Sequence, residues 1–579
     1  MVPYTQFGLA NIRRAVPSLG HDFNPGHLFL VQPGSEDVAS VEDMGLERLT
    51  GERGNFEGYS LVVECTLDTS GAGVEIEMRF DKQVLAPPRV KALLSQLEHV
   101  ARELQVYNIP VAALKPPQRD ATIENLDLIS PEDKEKLLTW NQPPPDAVQT
   151  SLSELVESQM IKNPDALAVC ARDGELTYFQ LWAAADRLAK HLVSLGIGPE
   201  IFDGLCMSKS KFAVISILAV LLAGGAVVPL GTQYSDIRIK MILDDAGIFV
   251  ALAAILSNTQ PYHPSPSTAA WVVYTSGSTG IPKGVVLEHQ ALCTGVLAQA
   301  SRYGVTSSTR TLQFSAFTFD LSIEEIFTTL AIGRCVCVPS KTDRTDGLAS
   351  AIRELAVTFA ILTPTVASLL SPESVPSSLE TIVLAGAPVK PAVVKPWLGR
   401  IKIFNGYGLA ECSMFSAING PVLCPEDAPV IGSPVSNSLW VTSPLDHNSL
   451  VPIGAEGELL IEGPLLAREY LHDYEKTTRS FVVDPHFVHS LHLSPGRRMY
   501  RTGDLVRQNS NNGVLEYLGR LDTQIKIRGQ HVEVGETESH IICLQPEIRT
   551  ACVDLVHRRK DFRVPCPSSF NFCIYEVLD

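Results

Sequence analysis

The chain has 579 residues, 45% hydrophobic and 19% charged, which excludes a disordered segment and implies several folded domains. A formal net charge of -17 excludes non-specific nucleic-acid binding, which relies on cationic surface, and the basic run Arg558–Lys560 is too small to change that. The 12 cysteines lack C-x-x-C spacing and Met1–Ala15 lacks a secretory pattern, so reduced, mostly structural thiols in a cytoplasmic protein are expected.

In chain order, Tyr59–Leu67 and Val74–Asp81 are joined by the Gly-, Ser- and Asp-containing turn Asp68–Gly73. Val74, Ile76, Met78 and Phe80 alternate with Glu75, Glu77, Arg79 and Asp81, which predicts a half-buried antiparallel hairpin. Leu93, Leu94, Leu97, Val100, Ala101 and Leu104 recur at helical spacing. After the proline-rich Pro143–Val148 come a helix at Leu152–Met160, a strand at Leu167–Ala171 and a turn at Arg172–Gly174. Leu181, Ala184, Ala185, Leu188, Leu192 and Leu195 mark one face of a helix ending at Gly196. Phe212–Leu230 carries no charge and has the length of a membrane span. Gly224, Gly225 and Pro229 interrupt it, so a helix followed by a buried strand fits better. This alternation predicts a layered α/β core. Thr259–Thr268 reads as loop.

Trp271–Tyr274 is a short apolar run expected to be a buried strand, and Val285–Leu287 a second. Between them lie Thr275, Ser276, Gly277, Ser278, Thr279, Gly280 and Lys283. Glycines let backbone N–H groups close around a phosphate, hydroxyls add donors, and a lysine adds a point charge. Lys283 is followed by Gly284, so this is not a Walker loop. A phosphate cradle and a flexible Ser/Gly loop both remain open from composition. Asp320, in FTFDLSIEEIF (Phe317–Phe327), also has two readings: a partner for a cation, or the N-cap of an amphipathic helix. FNGYGLAEC (Phe404–Cys412), taken alone, is an ordinary glycine turn.

The string TSGSTGIPKGV resembles the phosphate-loop signature of the adenylate-forming enzymes, the superfamily of acyl-CoA synthetases, luciferases and nonribosomal peptide synthetase adenylation domains. LLAGGAVVPL, FNGYGLAEC, GELLIEGPLLAREYL (Gly457–Leu471), MYRTGDLVR (Met499–Arg507) and GRLDTQIKIRGQHVEVGETE (Gly519–Glu538) resemble further blocks of that family, in family order. The resemblance implies ATP and Mg2+ at one site. Thr275 to Gly280 and Lys283 would hold phosphates, Asn405 would bond the adenine edge, and Tyr407 would stack on the ring. Glu411 would hold the magnesium, Asp504 the ribose hydroxyls, and Arg520 the nucleotide, with Lys283, Glu411 and Arg520 as catalytic residues. Asp522 would be the hinge of a mobile C-terminal lobe. Asp320 would anchor the α-ammonium of an amino acid. Its side chain would meet Leu321, Glu324, Ile361, Val383, Ala385, Gly406, Met414 and Phe415. Glu324 is the one charged member, and its helical position favours solvent over the pocket.

The strings YTQFGLANI, FNPGHLFLVQPG, YSLVVECTLDTSG and VEIEMRFDKQVL resemble the C-terminal end of a fungal-type condensation domain, without an HH pair. The expected organisation is a partial α+β condensation segment (1–125), a linker (126–150), a large α/β adenylate-forming core (151–521) and a truncated C-terminal lobe (522–579). Two departures point to weakened catalysis. Ala410 stands where the family has a threonine on the α-phosphate, a loss of ~1.5–3 kcal/mol for a hydrogen bond to a charged group. No NGKVDR-like lysine string follows Gly519–Glu538. The stretch from Leu230 to Trp271 is short for the family, which suggests a lost helix–strand pair. The implied function is ATP-dependent amino-acid activation, with transfer to phosphopantetheine on a carrier domain outside this chain, and no nucleic-acid or membrane partner. A non-catalytic remnant that keeps nucleotide binding and a free-standing acyl-CoA ligase are the alternatives.

Overall fold

The computed structural model describes residues 27–32, 59–67, 73–107, 127–248, 264–275, 282–306, 308–521, 525–527 and 530–532. Two compact units divide the chain, one of Met1–Lys134 with Pro452–Gly454, the other of Glu135–Val451 with Ala455–Asp579.

In the first unit the expected hairpin forms. Leu61–Leu67 pairs antiparallel with Val74–Phe80, from Leu61 opposite Phe80 to Leu67 opposite Val74. A third strand, His27–Gln32, lies parallel on Leu61–Leu67. The helix Pro87–Tyr107 supplies Val90, with Leu93 and Leu97 packed beside it, to a cluster formed with Leu61, Val63 and Cys65. Burial does not follow the alternation throughout, since Val74 at the strand start is exposed.

The second unit is built on two large sheets. Six parallel strands form the middle of the larger one: Leu167–Ala171, Cys335–Val338, Arg310–Leu312, Phe359–Leu362, Thr381–Ala385 and Lys402–Tyr407. They are short, mostly apolar and buried apart from Leu167, Arg310 and Lys402 at their starts, as parallel strands covered on both faces must be. An antiparallel extension follows through Ala417–Asn419, Val430–Pro434, Leu515–Arg520, Arg498–Gln508, Glu456–Glu462 and Ser438–Thr442.

The second sheet runs Glu469–Tyr470, Lys283–Glu288, Ala269–Thr275, Ala226–Pro229, Phe202–Leu205. The two runs flanking the Ser/Gly loop are therefore an antiparallel hairpin, with Thr275 opposite Lys283. Phe212–Leu230 resolves as expected into a helix, Lys211–Leu222, and a strand, Ala226–Pro229. Nine of the helix's residues are buried in the core with Trp271 and Phe327, which explains an apolar surface on every side. Among the described residues no helix is long and apolar enough to cross a membrane. The stretch after Leu230 carries a helix, Asp236–Asp245, capped by Ser235. Residues 249–263 lie outside the described residues. Within 126–150, expected as linker, Pro131–Trp140 is helical.

Candidate functional site

Three adjacent parallel strands, Phe359–Leu362, Thr381–Ala385 and Lys402–Tyr407, end on the same side of the larger sheet. Open α/β sheets bind ligands outside the carboxyl ends of such strands. Ile361, Val383, Ala385, Asn405, Gly406 and Tyr407 all sit at those ends.

The chain leaving Tyr407 is wound tightly enough to require glycine. A Cβ on Gly408 would lie 1.5 Å from the Met414 carbonyl oxygen. Ser413 and Met414 take left-handed backbone at φ 51° and 77°. The single 3-10 turn Ala410–Cys412 in this loop places Glu411, which is 4% exposed. Lys283, at the start of the hairpin's second strand, donates to Glu411 Oε1 at 3.1 Å, and the Tyr470 hydroxyl donates to the same oxygen at 2.8 Å. Tyr470 lies on the strand beside Lys283–Glu288, opposite Val285, and its ring lies under the Lys283 ammonium at 4.8 Å. Burial pushes the Glu411 carboxyl up, but the Lys283 charge and the Tyr470 hydroxyl overcome this and hold it at about 2. The Tyr470 hydroxyl also meets that of Tyr500 at 3.3 Å.

A second cluster forms around Asp504, which is fully buried. Tyr407 donates to its Oδ2 at 2.5 Å and Arg520 to its Oδ1 at 3.0 Å. Asp504 and Arg520 are register partners on adjacent strands. A carboxylate has about four acceptor sites, the chemistry a vicinal diol needs. The Asn405 amide donates to the backbone carbonyls of Ala428 at 3.0 Å and Val430 at 2.8 Å. With both N–H donors placed, its carbonyl oxygen is the group left for a purine edge.

Asp320 accepts from the Leu321 backbone N–H at 3.0 Å and caps the short helical turn Leu321–Ile323. A π-helical turn, Glu324–Thr328, continues it, and all five of its residues are buried. The expected amphipathic run is therefore buried on every side. Glu324 is 1% exposed, and its carboxylate oxygens have no hydrogen bond of good geometry, although the Thr328 hydroxyl lies close enough to favour the charged form. The expectation that Glu324 faces solvent is corrected. The whole stretch from Ser322 to Ala331 is buried, so no face of this helix is left for solvent.

Ile361, Val383, Ala385 and Phe415 form one apolar cluster with Tyr303, Phe359 and Phe404, and Leu321 packs against it. Phe415 closes over Gly406, where a Cβ would come within 2.5 Å of its ring. Met414 belongs elsewhere: its side chain reaches toward Gly295 and joins the main core. Thr275 has a buried hydroxyl without a hydrogen-bond partner at the hairpin end. Ser276, Gly277, Ser278, Thr279, Gly280 and Asp522 lie outside the described residues. Sequence reasoning missed Tyr470 and Tyr500 as members of the Glu411 cluster. Both stand inside the strings GELLIEGPLLAREYL and MYRTGDLVR.

A magnesium ion bridging phosphates takes few protein ligands and needs an ionised carboxylate. Glu411 fits that requirement, being held anionic while one oxygen carries both recorded bonds.

Family comparison matches the AMP-binding enzymes over residues 156–263 and 251–471. The chain is 44% identical, over 96% of its length, to nonribosomal peptide synthetase vlms of Lecanicillium sp. It is likewise 44% identical, over 96% of its length, to nonribosomal peptide synthetase 32 of Fusarium pseudograminearum. It spans only 6% and 7% of those two proteins. Among solved structures, the synthetase FmoA3 in its alpha-methyl-L-serine-AMP bound form aligns with a TM-score of 0.70 and 25% identity, over 86% of this chain and 58% of that one. The AMPPNP-bound form of FmoA3 aligns with a TM-score of 0.72 at 23% identity, over 88% of this chain and 57% of that one, a likeness of fold. With more than half of its residues matched, the adenylate-forming strings in order and relatives among fungal nonribosomal peptide synthetases, the chain belongs to the AMP-binding enzyme family.

Proposed function

We propose that the chain activates an amino acid with ATP, giving an aminoacyl-adenylate and pyrophosphate, as a segment of a fungal-type nonribosomal peptide synthetase. The observation that carries this reading is the ionised Lys283–Glu411 pair beside the Ser/Gly hairpin. In the reaction an oxygen of the substrate carboxylate bonds to the α-phosphorus, and the bond from that phosphorus to the bridging oxygen breaks. Lys283 and the hairpin N–H groups would take the charge of the outer phosphates. Glu411 would hold the Mg2+ that neutralises the pyrophosphate leaving group. Asp504 would accept from the ribose hydroxyls, Tyr407 would line the adenine site, and Arg520 would keep Asp504 placed and charged.

Asp320, which caps Leu321, would receive the substrate α-ammonium. Transfer of the acyl group to a phosphopantetheine thiol would take place on a carrier domain, with the C-terminal lobe rotating about Asp522. Under this reading 1–125 is the end of a condensation domain, 151–521 the adenylation core, and the compartment cytoplasmic. Amino-acid-dependent ATP–pyrophosphate exchange tests it: exchange with at least one amino acid is expected. Nucleotide binding without exchange for any amino acid would favour the non-catalytic alternative.

A further inference from the structure

Tyr470 touches both members of the Lys283–Glu411 pair, with two different parts of its side chain. Its hydroxyl donates to Glu411 Oε1 at 2.8 Å, the same oxygen that Lys283 reaches at 3.1 Å. Its ring centre lies 4.8 Å from the Lys283 ammonium and 5.3 Å from that of Lys476. An aromatic face attracts cations within about 6 Å. A phenol hydroxyl has one proton to give, and an ionised carboxylate only accepts. That proton is spent on Glu411, so the 3.3 Å contact between the Tyr470 and Tyr500 hydroxyls runs from Tyr500 to Tyr470. Tyr500 thereby aims the Tyr470 hydroxyl, and Tyr470 aims Glu411.

The two donors on that oxygen are held very differently. The backbone of Tyr470 pairs with Val285, its N–H donates to the Thr477 hydroxyl at 3.0 Å, and Arg498 donates to the carbonyls just before it, Ala467 at 2.7 Å and Arg468 at 2.6 Å. The ring packs against Phe481 at 5.9 Å, and Phe481 against Tyr500 at 5.0 Å. Tyr470 is 2% exposed. Lys283 has a flexible four-carbon stem and 16% side-chain exposure, against 5% for Glu411. The charges differ too. An ammonium and a divalent cation repel each other at one carboxylate, whereas a hydroxyl carries no net charge and is not driven off.

We propose that Tyr470 is a positioning residue for nucleotide loading: its hydroxyl keeps Glu411 aimed once Lys283 has turned to the phosphates, and its ring gives Lys283 a cation-binding face to turn over. The inference rests on the amino-acid-activating reading, in which Glu411 meets Mg2+ and Lys283 the phosphates, and adds a residue to which that reading gives no role. A residue that only filled space would need the ring and not the hydroxyl, so removing the hydroxyl alone separates the two roles.

The test compares the full chain with its Tyr470→Phe variant. Mn2+ binding in the presence of AMPPNP is read by electron paramagnetic resonance, and the Mg2+ dependence and KM values by ATP–pyrophosphate exchange. Tyr470→Phe should weaken Mn2+ binding and raise the half-saturating Mg2+ concentration by about tenfold, as loss of a hydrogen bond behind a metal-binding group typically does. KM for the amino acid and AMPPNP binding without metal should stay as in the unmodified chain. Equal Mn2+ affinity in the two proteins would overturn the inference and leave amino-acid activation intact. Equal weakening of metal, nucleotide and amino-acid binding would also overturn it, as the mark of a merely structural role. If Tyr470→Phe folds poorly, 3-fluorotyrosine at position 470 of the full chain decides. Its fluorine resonance should broaden when Mn2+ and AMPPNP are added together and far less with Mn2+ alone, and a resonance that stays sharp would overturn the inference. Failure of the unmodified chain to bind Mn2+ with AMPPNP would overturn the metal role of Glu411, and this inference with it.

Discussion

Lys283 Nζ lies 3.1 Å from Glu411 Oε1 across 128 residues of chain. The pair joins the Ser/Gly hairpin of one sheet to the turn that ends the parallel strands of the other. Because Glu411 is buried, its removal leaves a cation largely without compensation. Breaking a buried pair costs about 3–5 kcal/mol. Lys283 keeps 16% side-chain exposure, which places Glu411→Gln at the lower end, ~3 kcal/mol in urea denaturation. Pyrophosphate exchange by the same variant should fall at least a hundredfold.

The same carboxyl predicts an acid dependence. Its native value is about 2 against an ordinary 4.5, so the folded state binds its proton more weakly than the unfolded chain does. The stabilisation is complete above about pH 4.5 and is lost as pH falls toward 2, a change of roughly 3 kcal/mol. Glu411→Gln should flatten this part of a stability–pH curve measured by chemical denaturation.

Glu324 has the opposite sign. Its native carboxyl is raised, so the unfolded state ionises first and stability falls as pH rises above the ordinary 4.5. Glu324→Gln keeps the shape and removes the titration. The variant should melt higher than the unmodified chain at pH 8, with the difference shrinking toward pH 4.5, by calorimetry without ligand.

The grouping of Lys283, Glu411 and Asp504 was implied by the resemblance of their strings to successive adenylate-forming blocks, whereas glycines and isolated charges alone left FNGYGLAEC an ordinary turn. The strand at Val285–Leu287 and the helix–strand break at Gly224–Gly225 were legible because apolar runs and breakers are local signals. Glu324 was not. Its burial follows from packing that covers every face of Ser322–Ala331, and two adjacent glutamates in LSIEEIF signal the opposite. Tyr470 was missed because its place beside Glu411 follows from strand pairing with Val285, a long-range register that one sequence does not display.

Tyr407 and Arg520 both donate to Asp504. Tyr407→Phe removes a hydrogen bond to a buried charge, with an expected loss of about 1.5–3 kcal/mol. If Asp504 meets the ribose, the freed Oδ2 will be misplaced, and KM for ATP should rise several-fold with KM for the amino acid little changed. Denaturation and exchange kinetics on one preparation read both effects.

Lys209 and Glu325 form a second buried ionic network, apart from the Glu411 pair. The Lys209 ammonium donates to the Gln313 side chain, to the Gln313 backbone carbonyl at 3.0 Å and to the Ser315 carbonyl at 2.6 Å, while Gln313 donates to Glu325 at 3.0 Å. Lys209 also lies 4.9 Å from the centre of the Phe317 ring, at the start of the segment that carries Asp320. Burial raises Glu325 to about 7, with the Lys209 charge drawing it back. Lys209→Met should therefore strand Glu325 and cost about 3–5 kcal/mol, whereas adding Glu325→Gln should recover part of that loss. A double-mutant cycle by urea denaturation should give a coupling of about 1–3 kcal/mol, and additive single effects would show that the two charges act independently.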